Sequence, residues 1–285
     1  MNENSQPKAP AINAWIDQAT RVLKQAGIAT ARLDAEVILA HTLRQPRTYL
    51  HAHGEELLSR RNQEIADARL ALREDRVPVA YIIGHKEFYG RRFAVTTATL
   101  IPRPESETLI DVLKWIVPDT VRLIPDHAPR LVDVGTGSGI LGITAKLELP
   151  ELEVTLTDIS RHALTIAERN AKMLHADVDL LMSDLLANYP FEADIIVANL
   201  PYVDPEWERS PETNHEPELA LFAANHGLAL MFRLLAQTPS HLVKNGYLLL
   251  EADPEQHDAL IKEAKKYGLT AVQSDAYALL LKRKA

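Results

Sequence analysis

Apolar residues recur at two different spacings along this chain, and the change of spacing divides it. From about Ile12 to Arg76 the period is helical. Ile12, Trp15, Ile16, Ala19, Val22 and Leu23 fall on one stripe, and Gly27 follows as a helix end. "ARLDAEVILAHTL", Ala31–Leu43, predicts a second helix that is apolar nearly all round. "EELLSRRNQEIADARLALRED", Glu55–Asp75, predicts a longer and more charged one, and Pro78 closes this regime. "YIIGHKEFYGRRFAVT", Tyr81–Thr96, predicts two strands about a turn at Tyr89-Gly90. "LIPRPESETLIDVLKWIV", 100–117, opens a helix. Pro104 suits its first position, and Glu105 and Glu107 suit the positive end of its dipole. The stretch 118–129, rich in proline and aspartate, reads as a linker.

From Arg130 onward short apolar runs alternate with helical patterns. "RLVDVG", "EVTLTD", "VDLLMSD", "ADIIVAN" and "GYLLLEA" predict strands. Helices are predicted from Gly139 to about Leu149, over 160–174 behind Ser160 as cap, and over 254–268. "TAVQS" and "AYALLLKRK" close the chain as two successive strands, an antiparallel hairpin at the sheet edge. Alternation of this kind predicts an α/β fold, a doubly wound and mostly parallel seven-stranded sheet, behind an N-terminal helical bundle. The expected division is a helical domain over 1–77, a hairpin linker over 78–104 and an α/β domain over 105–285.

Composition narrows the chemistry. The chain has 285 residues, 46% of them apolar, enough for a real core. It contains no cysteine, which removes disulfides, thiolate metal sites and thiol nucleophiles. The 11 histidines show no metal-ligand spacing, so no metal is expected. Lys+Arg 31 against Asp+Glu 39 gives a net charge of −8, which offers nucleic acid no global attraction. No apolar run is long enough to span a membrane, and "MNENSQPKAP" lacks the apolar core of a signal peptide. A soluble, cytoplasmic protein is expected.

Three motifs carry chemistry. The first is "DVGTGSGILG", Asp133–Gly142, between a strand and a helix, where glycines let backbone approach a ligand. It reads two ways. Gly137, Gly139 and Gly142 fit the dinucleotide fingerprint, while Gly135, Gly137 and Gly139, with Thr136 and Ser138 between them, fit the loop that binds S-adenosylmethionine. The second is Asp158, at the end of the next strand. It can accept two hydrogen bonds from a ribose diol, or cap the following helix alongside Ser160. Both cofactors carry that ribose, so Asp158 does not separate them.

The third motif, Asn199-Leu200-Pro201-Tyr202, does. A planar NH2 nitrogen has a delocalised lone pair and attacks poorly. The Asn199 side-chain oxygen and the Leu200 carbonyl could each accept one of its N–H groups, holding it near a sulfonium methyl. Pro201 would fix the chain, and the Tyr202 ring would stack on the flat group. As a bare turn, Asn-x-Pro would need none of this.

Taken in order, these stretches resemble the protein-(glutamine-N5) methyltransferases of peptide chain release factors, the HemK/PrmC family. "ARLDAEVILAHTL" with "RTYL" is similar to that family's helical domain, and "PVAYIIGHKEFYGRRFAV" with "LIPRPESE" to its linker. "DVGTGSG", "TDISRHALTIAERNA", "SDLL", "NLPYV" and "EPELAL" follow in the family's order. The resemblance implies a class I, Rossmann-like fold and S-adenosylmethionine as cofactor. It implies methyl transfer to the Gly-Gly-Gln glutamine of a release factor, the expected protein partner. Residues Gly135–Gly139 would wrap the cofactor's amino-acid part and Asp158 its ribose, with Asp184 or Leu185 beside the adenine. Asn199, near both ligands, would hold the glutamine together with Leu200, Pro201 and Tyr202, while Arg103 and Glu105 brace the site. Three departures stand out. Leu200 replaces the first proline of Asn-Pro-Pro-Tyr, which costs rigidity but keeps the carbonyl. Many members of the family have an adenine-packing aromatic near the position of Leu185, which is itself aliphatic. The final strand pair lacks the family's glycine and arginine punctuation.

Competing readings are an adenine-N6 methyltransferase acting on RNA or DNA, a nicotinamide oxidoreductase using "GSGILG", and a binding protein that holds the cofactor without catalysis. Asn-Leu-Pro-Tyr is similar to the motif of the ribosomal RNA adenine dimethyltransferases. Those enzymes carry an acid-rich first loop and a helical domain after the catalytic one, where this chain has its helical domain first.

Overall fold

The computed structural model of the protein describes residues 9–123, 127–204 and 206–285. They form two compact units. One comprises the chain up to Gly84 together with Pro211–His215, and the other comprises His85–Ser210 and Glu216–Ala285.

The first unit is helical: α1 (Ile12–Gln25), α2 (Ala31–Leu43), α3 (Arg47–Ala52), α4 (Arg60–Glu74) and α5 (Val79–Ile83). The apolar stripe of α1 is its buried face, and Ile12, Trp15, Ile16, Ala19 and Leu23 join Ile38 and Leu39 of α2 in one core. Gly27 adopts φ +74° just past the end of α1, a conformation open to glycine at little cost. Because α2 is buried over most of its surface, it buries Asp34 and Glu36 as well, and each needs partners. Asp34 receives Arg73 of α4 at 2.7 Å, and Glu36 receives Arg32 and Arg47 at 3.0 and 2.6 Å. Arg73 also reaches Glu212 at 3.1 Å, as does Arg76 at 3.2 Å, which anchors the 211–215 segment in this unit.

Three sequence expectations need correction. The helix predicted from Glu55 starts at Arg60, because Ser59 accepts the Asn62 N–H as an N-cap and Leu57 is instead paired with Ala11 as an isolated bridge. Tyr81–Ile83 are helical rather than strand, and Gly84 at φ +75° ends that turn before β1 (His85–Phe88). The 118–129 linker is helix as far as Leu123. After the turn Pro104–Ser106, α6 (Glu107–Leu123) runs through Pro118, since Ile116, Val117 and Thr120 continue its buried face and the Thr120 hydroxyl bonds the Ile116 carbonyl. Burial outweighs the local cost of the proline. Residues 124–126 of that stretch lie outside the described residues.

In the second unit β1 pairs with β2 (Arg91–Ala94) about Tyr89-Gly90, as expected. The large sheet has seven strands: β3 (Arg130–Val134), β4 (Glu153–Asp158), β5 (Asp179–Met182), β6 (Ala193–Ala198), β7 (Leu242–Glu251), β8 (Leu269–Asp275) and β9 (Ala278–Arg283). Their spatial order is β5-β4-β3-β6-β7-β9-β8, parallel except for β9. The connecting helices are α7 (Ile140–Glu148), α8 (Arg161–Leu174), α9 (Glu218–Leu221), α10 (Ala229–His241) and α11 (His257–Ala264). The sequence reading did not anticipate α10.

Side-chain alternation sorts this core into two layers. Leu131 of β3, Ile195 and Val197 of β6 and Leu249 of β7 face α6 and α7, while Val132, Val134, Ile196, Leu248 and Leu250 face α10 and α11. Sequence order reverses between β3 and β6. Ligands of open α/β sheets bind at such a switch point, beyond the strand C-termini. The glycine loop follows β3 there, and Asn199 follows β6.

Candidate active site

Asp133, next to last in β3, is fully buried, and its Oδ2 accepts the Thr136 hydroxyl at 2.6 Å and the Gly142 N–H at 2.9 Å. Burial pushes its pKa up to about 6 against those two donors. This carboxyl clamps both ends of the loop to the strand. The sequence reading did not assign it, although it stands at the head of the motif.

Gly135, Gly137 and Gly139 adopt φ +71°, +58° and +85°. Gly135 and Thr136 donate to the Thr157 carbonyl, each at 2.9 Å, and the Ser138 carbonyl accepts from buried Asn170 at 2.8 Å. The glycines differ in what surrounds them. A Cβ on Gly142 would stand 2.2 Å from Leu156, so that glycine serves helix–strand packing. One on Gly135 would stand 2.7 Å from the Leu200 side chain, whereas one on Gly137 would meet nothing within 4 Å. Gly135→Ala and Gly137→Ala should therefore both lose about 1–2 kcal/mol of stability to the left-handed backbone. Gly135→Ala should lose more, by the steric term. Equal urea midpoints for the two would show that Leu200 yields freely.

Asp158 ends β4 with both oxygens engaged. Oδ2 accepts the Gly137 N–H at 2.9 Å and Oδ1 the Ser160 N–H at 2.8 Å. Burial raises its pKa, and these N–H groups oppose the rise. The Ile159 N–H also bonds this carboxylate, so three backbone donors hold it. Ser160 caps α8, accepting the Ala163 N–H at 3.2 Å, so the cap does not need Asp158. Ile159, between them, is 65% exposed, a large apolar side chain beside the acid.

A cleft is lined by Pro102, Arg103 and Ser106 from the segment before α6, by Asp133, Gly135, Thr136, Gly137 and Ser138, and by Asn199. Asp184 and Leu185 do not line it. They follow β5, where the Ser183 N–H bonds the Asp158 carbonyl at 3.0 Å, with Asp184 exposed and paired to Arg233 at 2.6 Å, and Leu185 buried at φ +54°.

Leu200 is 3% exposed and packs over Gly135, so burial supplies the restraint that a proline ring would otherwise give. The Tyr202 carbonyl accepts from Gln256 at 2.9 Å, and Gly227 passes so close to that carbonyl that a Cβ there would stand 1.9 Å away. The Tyr202 hydroxyl donates to Glu251 at 3.2 Å, and burial with that carboxyl raises its pKa. Asn199 donates from Nδ2 to the Ser106 hydroxyl oxygen at 3.1 Å. Arg103 pairs at 2.5 Å with buried Glu216, whose other oxygen accepts the Ile101 N–H at 3.0 Å, while Glu105 is exposed. The expected brace thus comes from Arg103 with Glu216. Ser106, Gln256, Glu216 and Glu251 were missed because each acts across a long sequence separation; Glu216 does stand in the quoted "EPELAL".

Among known proteins, residues 14–84 match the PrmC N-terminal domain and 119–216 the methyltransferase small domain. The release factor glutamine methyltransferase of Koribacter versatilis is 38% identical over 248 residues, covering 84% of this chain and 86% of its own. The Escherichia coli K12 protein of the same name is 33% identical, covering 86% and 87%. A methyltransferase structure from Pyrococcus furiosus matches 77% of this chain and 98% of its own at a TM-score of 0.51 and 16% identity, a likeness of fold. With identity of this order along most of both chains, and with the helical region matched as well as the sheet, the chain belongs to the release factor glutamine methyltransferases.

Proposed function

We propose that the protein methylates N5 of the glutamine in the Gly-Gly-Gln motif of peptide chain release factors, with S-adenosylmethionine as cofactor. The observation that carries this reading is the meeting of Asn199 and the glycine loop in one cleft at the switch point. The loop fits the cofactor: Gly137 offers open space where a side chain would stand, and Asp158 brings a carboxylate to the end of β4 for a ribose diol. Residues Gly135–Gly139 hold the amino-acid part, and Ile159 and Leu185 offer the adenine apolar contact, with Asp184 at the rim. When bound, the cofactor supplies an electrophilic methyl group on a sulfonium.

The chain's own residues handle the acceptor. Asn199 Oδ1 and the Leu200 carbonyl accept the two amide hydrogens, orienting the nitrogen and drawing density onto it. Pro201 keeps that carbonyl in place, and Tyr202, tethered at its hydroxyl, lies against the planar amide. No strong base is needed, because the nitrogen becomes acidic only once alkylated. Residues 1–77 recognise the release factor and 78–104 link them to the catalytic domain, 105–285. Among the described residues no helix is long and apolar enough to cross a membrane. The reading places the enzyme in the cytoplasm beside its substrate, with no nucleic acid as direct partner.

Labelled cofactor should transfer its methyl to an intact release factor, and not to one whose Gly-Gly-Gln glutamine is alanine. Transfer to RNA or DNA instead would favour the adenine-N6 reading. A thermal shift with NAD but none with S-adenosylmethionine would favour the oxidoreductase.

A further inference from the structure

Gln256 lies in the turn that follows β7 and is 5% exposed, and its side-chain amide is used on both edges. Oε1 accepts the Asp253 N–H at 3.2 Å, half of the reciprocal cap that opens this turn. Nε2 donates to the Tyr202 carbonyl and to the His226 carbonyl, each at 2.9 Å. Two carbonyls with no attraction for one another are thus drawn to one nitrogen. The second belongs to a turn in which Asn225, His226 and Gly227 all adopt left-handed φ, +57°, +53° and +80°. The first two carry side chains, for which that region is costly, so their surroundings must hold them there. The His226 Nδ1 meets Asp204 Oδ2 at 2.8 Å, and the Gly227 N–H bonds the Ala223 carbonyl at 3.2 Å. A Cβ on Gly227 would stand 2.6 Å from Gln256 Nε2, so that glycine also leaves the amide its path to Tyr202.

We infer that Gln256 is a positioning residue that fixes Tyr202 at its carbonyl, tying the exit of β6 to the 225–227 turn and to the end of β7. The task selects the residue type. Lys or Arg could donate to both carbonyls but could not accept from Asp253. An ionised Glu could accept but not donate, and Asn is one methylene short. Tyr202 is held a second time at its hydroxyl, by Glu251 at 3.2 Å. Its backbone and its ring tip are therefore both fastened to the segment from Glu251 to Gln256, which fixes the ring at both ends. Ring placement matters where a planar amide must meet an electrophile in line. A small displacement of a group that orients the reactants lowers the rate of the chemical step far more than it lowers affinity for the other ligand.

This inference rests on the methyltransferase reading for its kinetic test but not for its structural one. Gln256→Met keeps the size and removes all three hydrogen bonds. Single-turnover methylation of a release factor should fall about tenfold, with the affinity for S-adenosylmethionine within about twofold. Gln256→Glu sets a carboxylate against two carbonyls and should fall further. In a Tyr202→Ala background, Gln256→Met should add less than about a twofold loss, because its effect passes through Tyr202. A general loss of stability would instead carry over in full. In the parent, both Gln256 side-chain NH2 protons should exchange with solvent far more slowly than those of exposed Gln18. The Tyr202 ring resonances should shift in Gln256→Met while its unfolding curve stays cooperative; should that variant not fold, exchange in the parent decides. A parent without activity on release factors defeats the proposed function, and exchange with the ring shifts still decides the inference. Fast exchange of the Gln256 amide in the parent, a Gln256→Met enzyme at the parental rate, or equal losses in the two backgrounds would overturn it.

Discussion

Asn199→Ala is expected to cut single-turnover methylation of a release factor by roughly 100- to 1,000-fold, the scale of losing one preorganised hydrogen-bond partner at a reacting centre. Two things go at once. The acceptor for one N–H of the substrate amide is lost, and Ser106 is left without the group that now occupies its oxygen. Affinity for the cofactor should change little, because the glycine loop is held by Asp133, Thr157 and Asn170, none of which touches Asn199 through a hydrogen bond in the structure. Asn199→Asp is the more telling variant. It keeps an acceptor of the same shape but cannot donate to Ser106, and it sets a second carboxyl near Glu251, where two negative charges disfavour one another. It should rescue little of the alanine loss at neutral pH. Quenched-flow methylation under saturating cofactor reads both variants, and a parental rate for Asn199→Ala would reduce the motif to a turn.

Asp158→Ala should weaken S-adenosylmethionine binding by about 2–3 kcal/mol, the scale of charge-assisted hydrogen bonds. Here the structure adds a second source for the loss. Asp158 also fixes the Gly137 N–H at 2.9 Å, so its removal frees the loop as well as the ribose contact. Asp158→Asn is therefore not a benign control, since an amide cannot accept from both Gly137 and Ser160 with its two heavy atoms. Calorimetry measures the affinity, and amide hydrogen exchange at Gly137 measures the loop. Unchanged affinity in Asp158→Ala would place the ribose elsewhere.

What could be read from the chain alone was whatever lies within one strand and the turn after it. The runs Leu131-Val132 before Asp133 and Ile195–Ala198 before Asn199 are short, apolar and buried, as strands covered on both faces are, while the strand ending in Asp158 alternates, with Val154 and Leu156 buried and Glu153 exposed. The polar residue that ends each run is then conspicuous. The groups that hold these residues in place come from elsewhere. Ser106 reaches Asn199 across 93 residues, Gln256 reaches Tyr202 across 54, and Glu251 reaches Tyr202 across 49. No periodicity encodes such pairings. Other misses were local rules overruled by burial. Pro118 should have ended α6, yet the apolar face continues past it. Helix α10 carries its own signal, Met231, Leu234, Leu235 and Thr238 at helical spacing, but lies between two more conspicuous motifs. Leu200 looked like a loss of stiffness, and proved to be a buried side chain seated on Gly135.

The helical unit is assembled from two pieces of chain, since Pro211–His215 belongs with it. A cut after Gly84 therefore does not release it as a self-contained cassette. Glu212 would be parted from both Arg73 and Arg76, and His215 from the Asp75 carbonyl it meets at 3.0 Å. Glu216, the next residue along, is the one that grips Arg103 and the Ile101 N–H. Recombination that exchanged this unit between relatives at a single crossover would import arginines tuned to another 211–215 segment. A chimaera that works should need a second exchange within those few codons.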